Sequence, residues 1–255
     1  MNIPQINIAM LIDCDNVSAK YIDSIINDLS KYGTINIRNA YGNWKDKRLQ
    51  GWEDSLHKYN IKPIQQFAYT KGKNASDIAM VIDIMDLLYT RNLGALALVT
   101  SDSDFTPVVS RILSNGITVY GYGEDKTPES FVNACSQFIY VEKLFDYTKE
   151  EDTTSVNSNS KLTKVQLRKD TKLVALLRKA AEQTSDDSGW SNIAAVGLYI
   201  NQNSSFSPIN YGYKKLGELI KATELFDIKI LGENKTVMLI RSPHQFPSVP
   251  FQLES

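Results

Sequence analysis

The first 145 residues alternate short apolar runs with longer segments whose apolar residues recur at helical spacing. The apolar runs lie at residues 6–12, 34–42, 61–67, 95–100, 117–123 and 136–144. Such alternation is typical of a mostly parallel β-sheet with helices on both faces. We therefore predict a doubly wound α/β domain for residues 1–147. In sheets of this kind, ligands bind beyond the carboxyl ends of the strands.

The character of the chain changes after residue 147. Residues 149–160 contain almost no apolar side chains, so they bury too little surface to fold, and we predict a flexible linker at 148–160. Helical spacing returns in three segments, and residues 226–240 have the pattern of two strands around a turn. The helical segments are 161–183, 190–202 and 210–222. We predict a small winged-helix domain at 161–242 and a tail at 243–255.

Composition excludes several classes of protein. No apolar run approaches the 18 residues that a membrane span needs, and the N-terminus lacks the basic and apolar regions of a signal peptide. Cys14 and Cys135 each lie in or beside an apolar segment, so we expect two reduced core thiols rather than a disulfide. A cytoplasmic location without membrane contact is therefore expected.

Charge is distributed unevenly between the two predicted domains. Residues 1–147 carry 14 Lys and Arg against 17 Asp and Glu, whereas residues 161–241 carry 13 against 8. A basic module is attracted to phosphate backbones, although a solvated lysine-rich face gives the same count.

Acidic residues follow two of the apolar runs. Asp13 and Asp15 come after the first run, and Asp102 and Asp104 come after the run at 95–100. Because parallel strands end at the same edge of a sheet, we expect Asp13 and Asp102 to lie close together. Asp77, in the first turn of the helix predicted at 75–91, would face the same edge.

Converging carboxylates repel one another and are stabilised by a cation, and oxygen-only ligand sets favour hard ions such as Mg²⁺ or Mn²⁺. The sequence therefore predicts a metal site with four candidate ligands. These are Asp13, Asp77, Asp102 and Asp104.

Each acid also has a structural interpretation. Asp77 could favour the helix N-terminus through the macrodipole, and Asp104 could cap the helix that follows it. Asp15 or Asn16 could cap the helix after the first strand. Asp83 lies about 120° around the helix from Asp77, so it is less expected to meet the same ion.

A resemblance to a known family strengthens the metal interpretation, and three matched motifs in order carry it. LIDCDN, KGKNASDIAMVIDIM, LVTSDSDFTPVV and GITVYGYG resemble the NYN domain, the LabA-like branch of the PIN-like nuclease superfamily. The resemblance covers residues 5–145. The chain departs from the family pattern in the extra residues between Lys73 and Asp77.

This resemblance implies a metal-dependent ribonuclease in which Asp13, Asp77, Asp102 and Asp104 form the acidic cluster. By the same comparison Asn16 matches the polar residue after the first acid, and Asp83 matches a later helical acid. Further candidates are Lys71 and Lys73 for RNA binding, and Ser101 and Ser103, which either bind phosphate and orient the carboxylates or are turn residues.

The segment NYGYKKLGELIKATELFDIKILGENKTVMLI resembles the end of an OST-HTH, or LOTUS, domain, and the resemblance covers residues 165–242. It implies binding of RNA or, in some members, of protein. Tyr211 and Tyr213 could stack on bases while Lys214 and Lys215 meet phosphates. The alternative is that the tyrosines are buried and the lysines are only solvated.

Three functions remain open from the sequence. The first is an endoribonuclease that uses Mg²⁺ or Mn²⁺ and binds RNA through its second domain. The second is a haloacid-dehalogenase-like phosphatase, since DCDNV at 13–17 fits the motif of that family. The third is a non-catalytic regulator that binds RNA or a protein partner.

Overall fold

The computed structural model of the chain describes residues 6–66, 74–152, 161–232 and 237–243. Its contacts divide it into two compact units, with the division between Val156 and Asn157. Most of the predicted linker and of the predicted tail lies outside the described residues. None of the described helices has the length and apolar content that crossing a membrane requires.

The N-terminal unit contains a six-stranded sheet in which every pair of neighbouring strands is parallel. The strands are β1 (Ile6–Asp13), β2 (Gly33–Gly42), β3 (Lys62–Gln65), β4 (Ala95–Val99), β5 (Thr118–Gly123) and β6 (Gln137–Tyr140). Their spatial order is β3-β2-β1-β4-β5-β6. The predicted doubly wound α/β fold is confirmed. The strand order reverses between β1 and β4, which is where such sheets bind their ligands.

Six α-helices connect and flank these strands. They are α1 (Ile22–Leu29), α2 (Glu53–Lys58), α3 (Ala75–Thr90), α4 (Thr106–Ser114), α5 (Glu129–Ala134) and α6 (Val141–Asp152). Short 3-10 helices precede α1, α2 and α4, at Ala19–Tyr21, Lys47–Trp52 and Ser103–Phe105. Helix α6 continues through residues 149–152, so the first part of the segment predicted as a linker is helical.

The core of this unit is built on its two central strands. All of β4 and residues 8–13 of β1 are buried, as expected for parallel strands that are covered by helices on both faces. Helix α3 packs Met80, Ile84 and Leu88 into this core. Cys14 and Cys135 are both buried free thiols, as predicted.

The C-terminal unit combines four helices with a small antiparallel sheet. The elements are α7 (Lys164–Lys169), α8 (Thr171–Gln183), β7 (Ser191–Asn192), α9 (Ile193–Asn203), α10 (Leu216–Thr223), β8 (Asp227–Leu231) and β9 (Val237–Arg241), with strand order β7-β9-β8. The helix predicted at 161–183 is divided at Asp170, which leaves the helical conformation and accepts a hydrogen bond from the Leu173 amide. The helix predicted from residue 210 begins only at Leu216, because Gly212 adopts a left-handed conformation at φ 81°.

Helix α3 allows a matched test of the core. Ile84 is 0% exposed, whereas Ile82 on the same helix is 55% exposed. We expect Ile84→Ala to lower the free energy of unfolding by about 2–5 kcal/mol, since it leaves a cavity. Ile82→Ala should change it by only about 0.5 kcal/mol. Chemical denaturation of the two variants measures both values, and equal losses would contradict this placement of α3.

Candidate functional site

Asp13 ends β1 at the point where the strand order reverses. Its neighbour Ile12 pairs with Val99 of β4, which brings Thr100 beside it. The Thr100 hydroxyl donates to Asp13 Oδ2 at 2.8 Å, and Asn16 Nδ2 donates to the same oxygen at 2.7 Å. Burial raises the pKa of Asp13, and these hydrogen bonds oppose that rise because they stabilise its charged form. The structure therefore holds a buried carboxylate at the edge of the sheet.

The loop after β4 is tied to the same group. Thr100 Oγ1, which donates to Asp13, also accepts a hydrogen bond from the Asp102 amide at 3.1 Å. The Asp102 carboxylate accepts from the Asp104 amide at 2.9 Å and caps the Ser103–Phe105 turn. This corrects the suggestion that Asp104 is the cap. Asp102 has the extended backbone of an N-cap residue, whereas Asp104 lies within the turn with an exposed side chain.

Asp77 lies half-buried in the first turn of α3. Burial, followed by the charges of Asp13, Asp102, Asp15 and Asp104, raises the pKa of Asp77 to about 6. Asp77 thus lies within electrostatic reach of the other three predicted ligands and of Asp15.

The chemistry of these side chains fits a hard divalent cation, because carboxylate oxygens are its preferred donors and a cation would relieve their repulsion. The arrangement is nevertheless not a closed ligand shell. Within the described ranges, no three or more His, Cys, Asp or Glu side chains are grouped closely enough to hold a metal ion as they stand. The metal site remains a prediction.

Asp15 has a larger part in the site than the sequence indicated. Its carboxylate accepts a hydrogen bond from Ser76 Oγ at 3.2 Å, and its amide donates to Asp13 Oδ1 at 3.2 Å. The loop after β1 is thereby joined to the first turn of α3, which carries Asp77. The only sequence signal for this role was the second acid of DCDN.

The remaining acid of α3 has a different partner. Asp83 accepts a hydrogen bond from the Tyr41 hydroxyl at 2.7 Å, and burial together with this bond raises the pKa of Tyr41. Tyr41 is paired with Asp13 across β1 and β2, yet its hydroxyl points to Asp83 on α3. Asp83 therefore holds α3 against β2.

The hydroxyl of Ser101 and the backbone of Ser103 both make structural hydrogen bonds. Ser101 is buried, and its hydroxyl accepts a hydrogen bond from the Glu124 amide at 2.8 Å, which joins the loops after β4 and β5. Ser103 lies in the 3-10 turn, where its carbonyl accepts from the Thr106 hydroxyl at 2.6 Å. Lys71 and Lys73 lie outside the described residues.

The candidates in the C-terminal unit divide into buried and exposed groups. Tyr213 is 8% exposed within the core, and its hydroxyl donates to the Leu162 carbonyl at 2.8 Å, so its ring is a structural group rather than one open to a base. Tyr211 is half-buried, with its hydroxyl 3.4 Å from Asp170 Oδ2. Lys214 and Lys215 are exposed immediately before α10.

The raised pKa of Asp77 makes a prediction about stability. The pKa of Asp77 is higher in the folded protein than its ordinary value of 3.8, so the folded state is favoured at low pH, where this carboxyl is protonated. This contribution to stability is lost as the pH rises through about 6, where Asp77 becomes charged. With EDTA present, we expect Asp77→Asn to unfold at a higher temperature than wild type at pH 7.5, because the substitution removes an unfavourable charge.

The gain should disappear near pH 4, where Asp77 is neutral. Asp86→Asn, which changes an exposed acid of the same helix, is the matched control. A lower melting temperature for Asp77→Asn at pH 7.5 would mean that its charge mainly stabilises the helix N-terminus.

Comparison with known proteins places this geometry in a family. The NYN domain family matches residues 7–142, and the OST-HTH/LOTUS domain family matches residues 166–238. No match was found among curated proteins.

Among solved structures, a Vibrio parahaemolyticus protein of unknown function is similar over 55% of this chain and 95% of its own, at 16% identity and a TM-score of 0.47. Those values are too low to support an argument about function. The family matches cover the sheet with its carboxylates and the helical unit after it. The chain therefore belongs to the NYN domain family, with its PIN-like nuclease fold, and carries a C-terminal OST-HTH/LOTUS domain.

Proposed function

We propose that this protein is a metal-dependent endoribonuclease that hydrolyses RNA phosphodiester bonds at the edge of the sheet where β1 and β4 end. The observation that carries the proposal is the group of mutually repelling carboxylates around the buried Asp13, at the position where doubly wound sheets bind ligands. The NYN fold and the RNA-binding OST-HTH domain support a ribonuclease with its own RNA-binding module.

Four carboxylates would hold Mg²⁺ or Mn²⁺ in this proposal: Asp13, Asp77, Asp102 and Asp104. The bound ion would supply an activated water and would neutralise charge on the phosphate. The chain itself fixes the direction of the Asp13 carboxylate through Asn16 and Thr100. Asp102 is fixed through the turn that it caps, so one of its oxygens is already committed to a backbone amide.

The OST-HTH domain would raise the local concentration of RNA at this site, since both are parts of one chain. Lys214 and Lys215, exposed ahead of α10, would meet phosphates. Membership of the NYN family speaks against the phosphatase alternative. A non-catalytic role in binding RNA or a protein partner is an outcome of the experiment below.

Cleavage of a labelled RNA tests the proposal directly. We expect wild type to cut with Mn²⁺ or Mg²⁺ and not with EDTA. Asp13→Asn and Asp102→Asn should each lower kcat on the order of 100-fold or more. Removing even a group that only hydrogen-bonds to a metal ligand lowers metal affinity or activity about 10–100-fold. Asp86→Asn should leave the rate unchanged.

Two results would count against the proposal. Metal-dependent cutting that survives both substitutions would mean a contaminating nuclease or a misplaced site. No cutting by wild type, with RNA binding intact, would favour the regulatory function.

Thr100 is a positioning residue, because its hydroxyl bridges Asp13 and the Asp102 amide. We expect Thr100→Val to keep the shape of the side chain, to weaken Mn²⁺ activation about 10–100-fold and to leave the KM for RNA nearly unchanged. A Mn²⁺ titration of the cleavage rate separates these effects. Thr34→Val, at the exposed start of β2, is the control. If both variants show the same Mn²⁺ dependence, Thr100 has no positioning role.

A further inference from the structure

Two cavities lie side by side along the edge of the sheet that carries Asp13. The smaller, of about 340 Å³, includes Asp77 in its wall. The larger, of about 690 Å³, is formed by the loop after β1, by residues 48–55 after β2, and by Glu124 and Lys126 after β5. Both cavities are lined by Asp15, Asn16 and Arg48. They therefore adjoin at the loop that follows the buried carboxylate.

The larger cavity contains three cationic side chains, although it lies beside an acidic cluster. Lys20, Arg48 and Lys126 come from three different loops and line the same space. Acids also line it, namely Asp15, Asp54 and Glu124. The cavity therefore lies beside the carboxylates and also presents cationic side chains that can bind an anionic ligand.

The three cations are exposed, whereas their partners Asp46 and Glu124 are half-buried and Tyr21 is buried. Arg48 Nη2 lies 2.7 Å from Asp46 Oδ2, Lys126 Nζ lies 2.9 Å from Glu124 Oε2, and Lys20 Nζ lies 4.5 Å from the centre of the Tyr21 ring. Ion pairs at the protein surface are weak, so a phosphate can replace the carboxylate partners of Arg48 and Lys126. Because Lys20, Arg48 and Lys126 are exposed to solvent, a ligand can reach them.

Size and position argue for a strand of RNA rather than a small ligand. Each cavity falls within the range of roughly 300–1,000 Å³ that holds one ligand of moderate size. Because the two adjoin at Asp15 and Asn16, a ligand that fills both must pass the carboxylates. A chain of linked nucleotides does so, with a phosphodiester beside the acids and further phosphates in the cationic cavity.

We propose that the larger cavity is the path of the RNA strand next to the bond that is cut, and that Lys20, Arg48 and Lys126 bind its phosphates. This inference rests on the proposed ribonuclease function and adds a binding path to it. It assigns the cations of the N-terminal unit a role separate from that of the OST-HTH domain.

RNA binding to the full chain tests this path without cleavage when all proteins carry Asp13→Asn. Fluorescence anisotropy with a labelled single-stranded oligoribonucleotide gives the dependence of affinity on salt. We expect the triple variant Lys20→Gln, Arg48→Gln, Lys126→Gln to reduce the slope of log K against log salt concentration by about 0.7 per lost cation. Affinity at low salt should fall at least tenfold. Lys62→Gln, an exposed lysine at the start of β3 that lines neither cavity, should change neither value.

Because all three substituted side chains are cationic groups at the surface, the triple variant should unfold at the temperature of its parent. Should it unfold earlier, Lys126→Gln alone is measured, with an expected slope change of about 0.7. An unchanged slope and affinity would overturn the proposal. A nucleoside 5′-monophosphate that competes as well as the oligonucleotide would also overturn it, in favour of a small-molecule site.

These experiments distinguish a failure of the proposed RNA path from a failure of the proposed ribonuclease function. If wild type does not cut RNA but the triple variant loses binding, the path stands and the ribonuclease proposal fails. If wild type cuts RNA and the same three substitutions leave its KM unchanged, the ribonuclease proposal stands and the path fails.

Discussion

The parallel pairing of β1 with β4 is the interaction on which the rest of this structure depends. These two strands are far apart in sequence, and their pairing sets Ile12 beside Val99. One residue further on, Thr100 donates its hydroxyl to Asp13 and accepts from Asp102, so a single side chain joins the two loops. The register between β1 and β4 therefore determines both the centre of the sheet and the position of the candidate site. A slip of one residue would turn every side chain of the strand to the other face of the sheet.

The burial of Asp13 disfavours the charged form of its carboxyl group. A carboxylate at Asp13 loses hydration, and the acids around it add repulsion. The hydrogen bonds from Thr100 and Asn16 offset part of that cost but do not remove the repulsion from the neighbouring acids. Such unfavourable electrostatics is typical of sites that bind a charged ligand, because the binding of that ligand recovers the lost free energy.

Sequence patterns were sufficient for the architecture and for the placement of Asp13 and Asp102 at one edge of the sheet. Apolar runs that alternate with helical spacing predicted the parallel sheet, and acids after two runs predicted convergence at one edge. Details that depend on the backbone conformation of single residues were not accessible. Asp102 and Asp104 are equally good capping residues in sequence, and only the extended backbone at Asp102 decides between them.

The same limit applies in the C-terminal unit. Tyr213 and Tyr211 both precede a helix beside lysines, yet the turn at Gly212 directs Tyr213 into the core. Asp83 follows Asp77 on one helix, and its partner Tyr41 comes from a strand that no local pattern connects with it. Long-range partners of this kind are set by packing and not by spacing along the chain.

The burial of both thiols has a practical consequence for spectroscopy. Burial raises the pKa of Cys135 to about 12 and that of Cys14 further, so neither provides the thiolate that maleimide dyes require at neutral pH. A single cysteine introduced on the surface of each unit would therefore be labelled selectively in the otherwise natural chain. Energy transfer between two such dyes would then report the distance between the NYN domain and the OST-HTH/LOTUS domain before and after RNA is added.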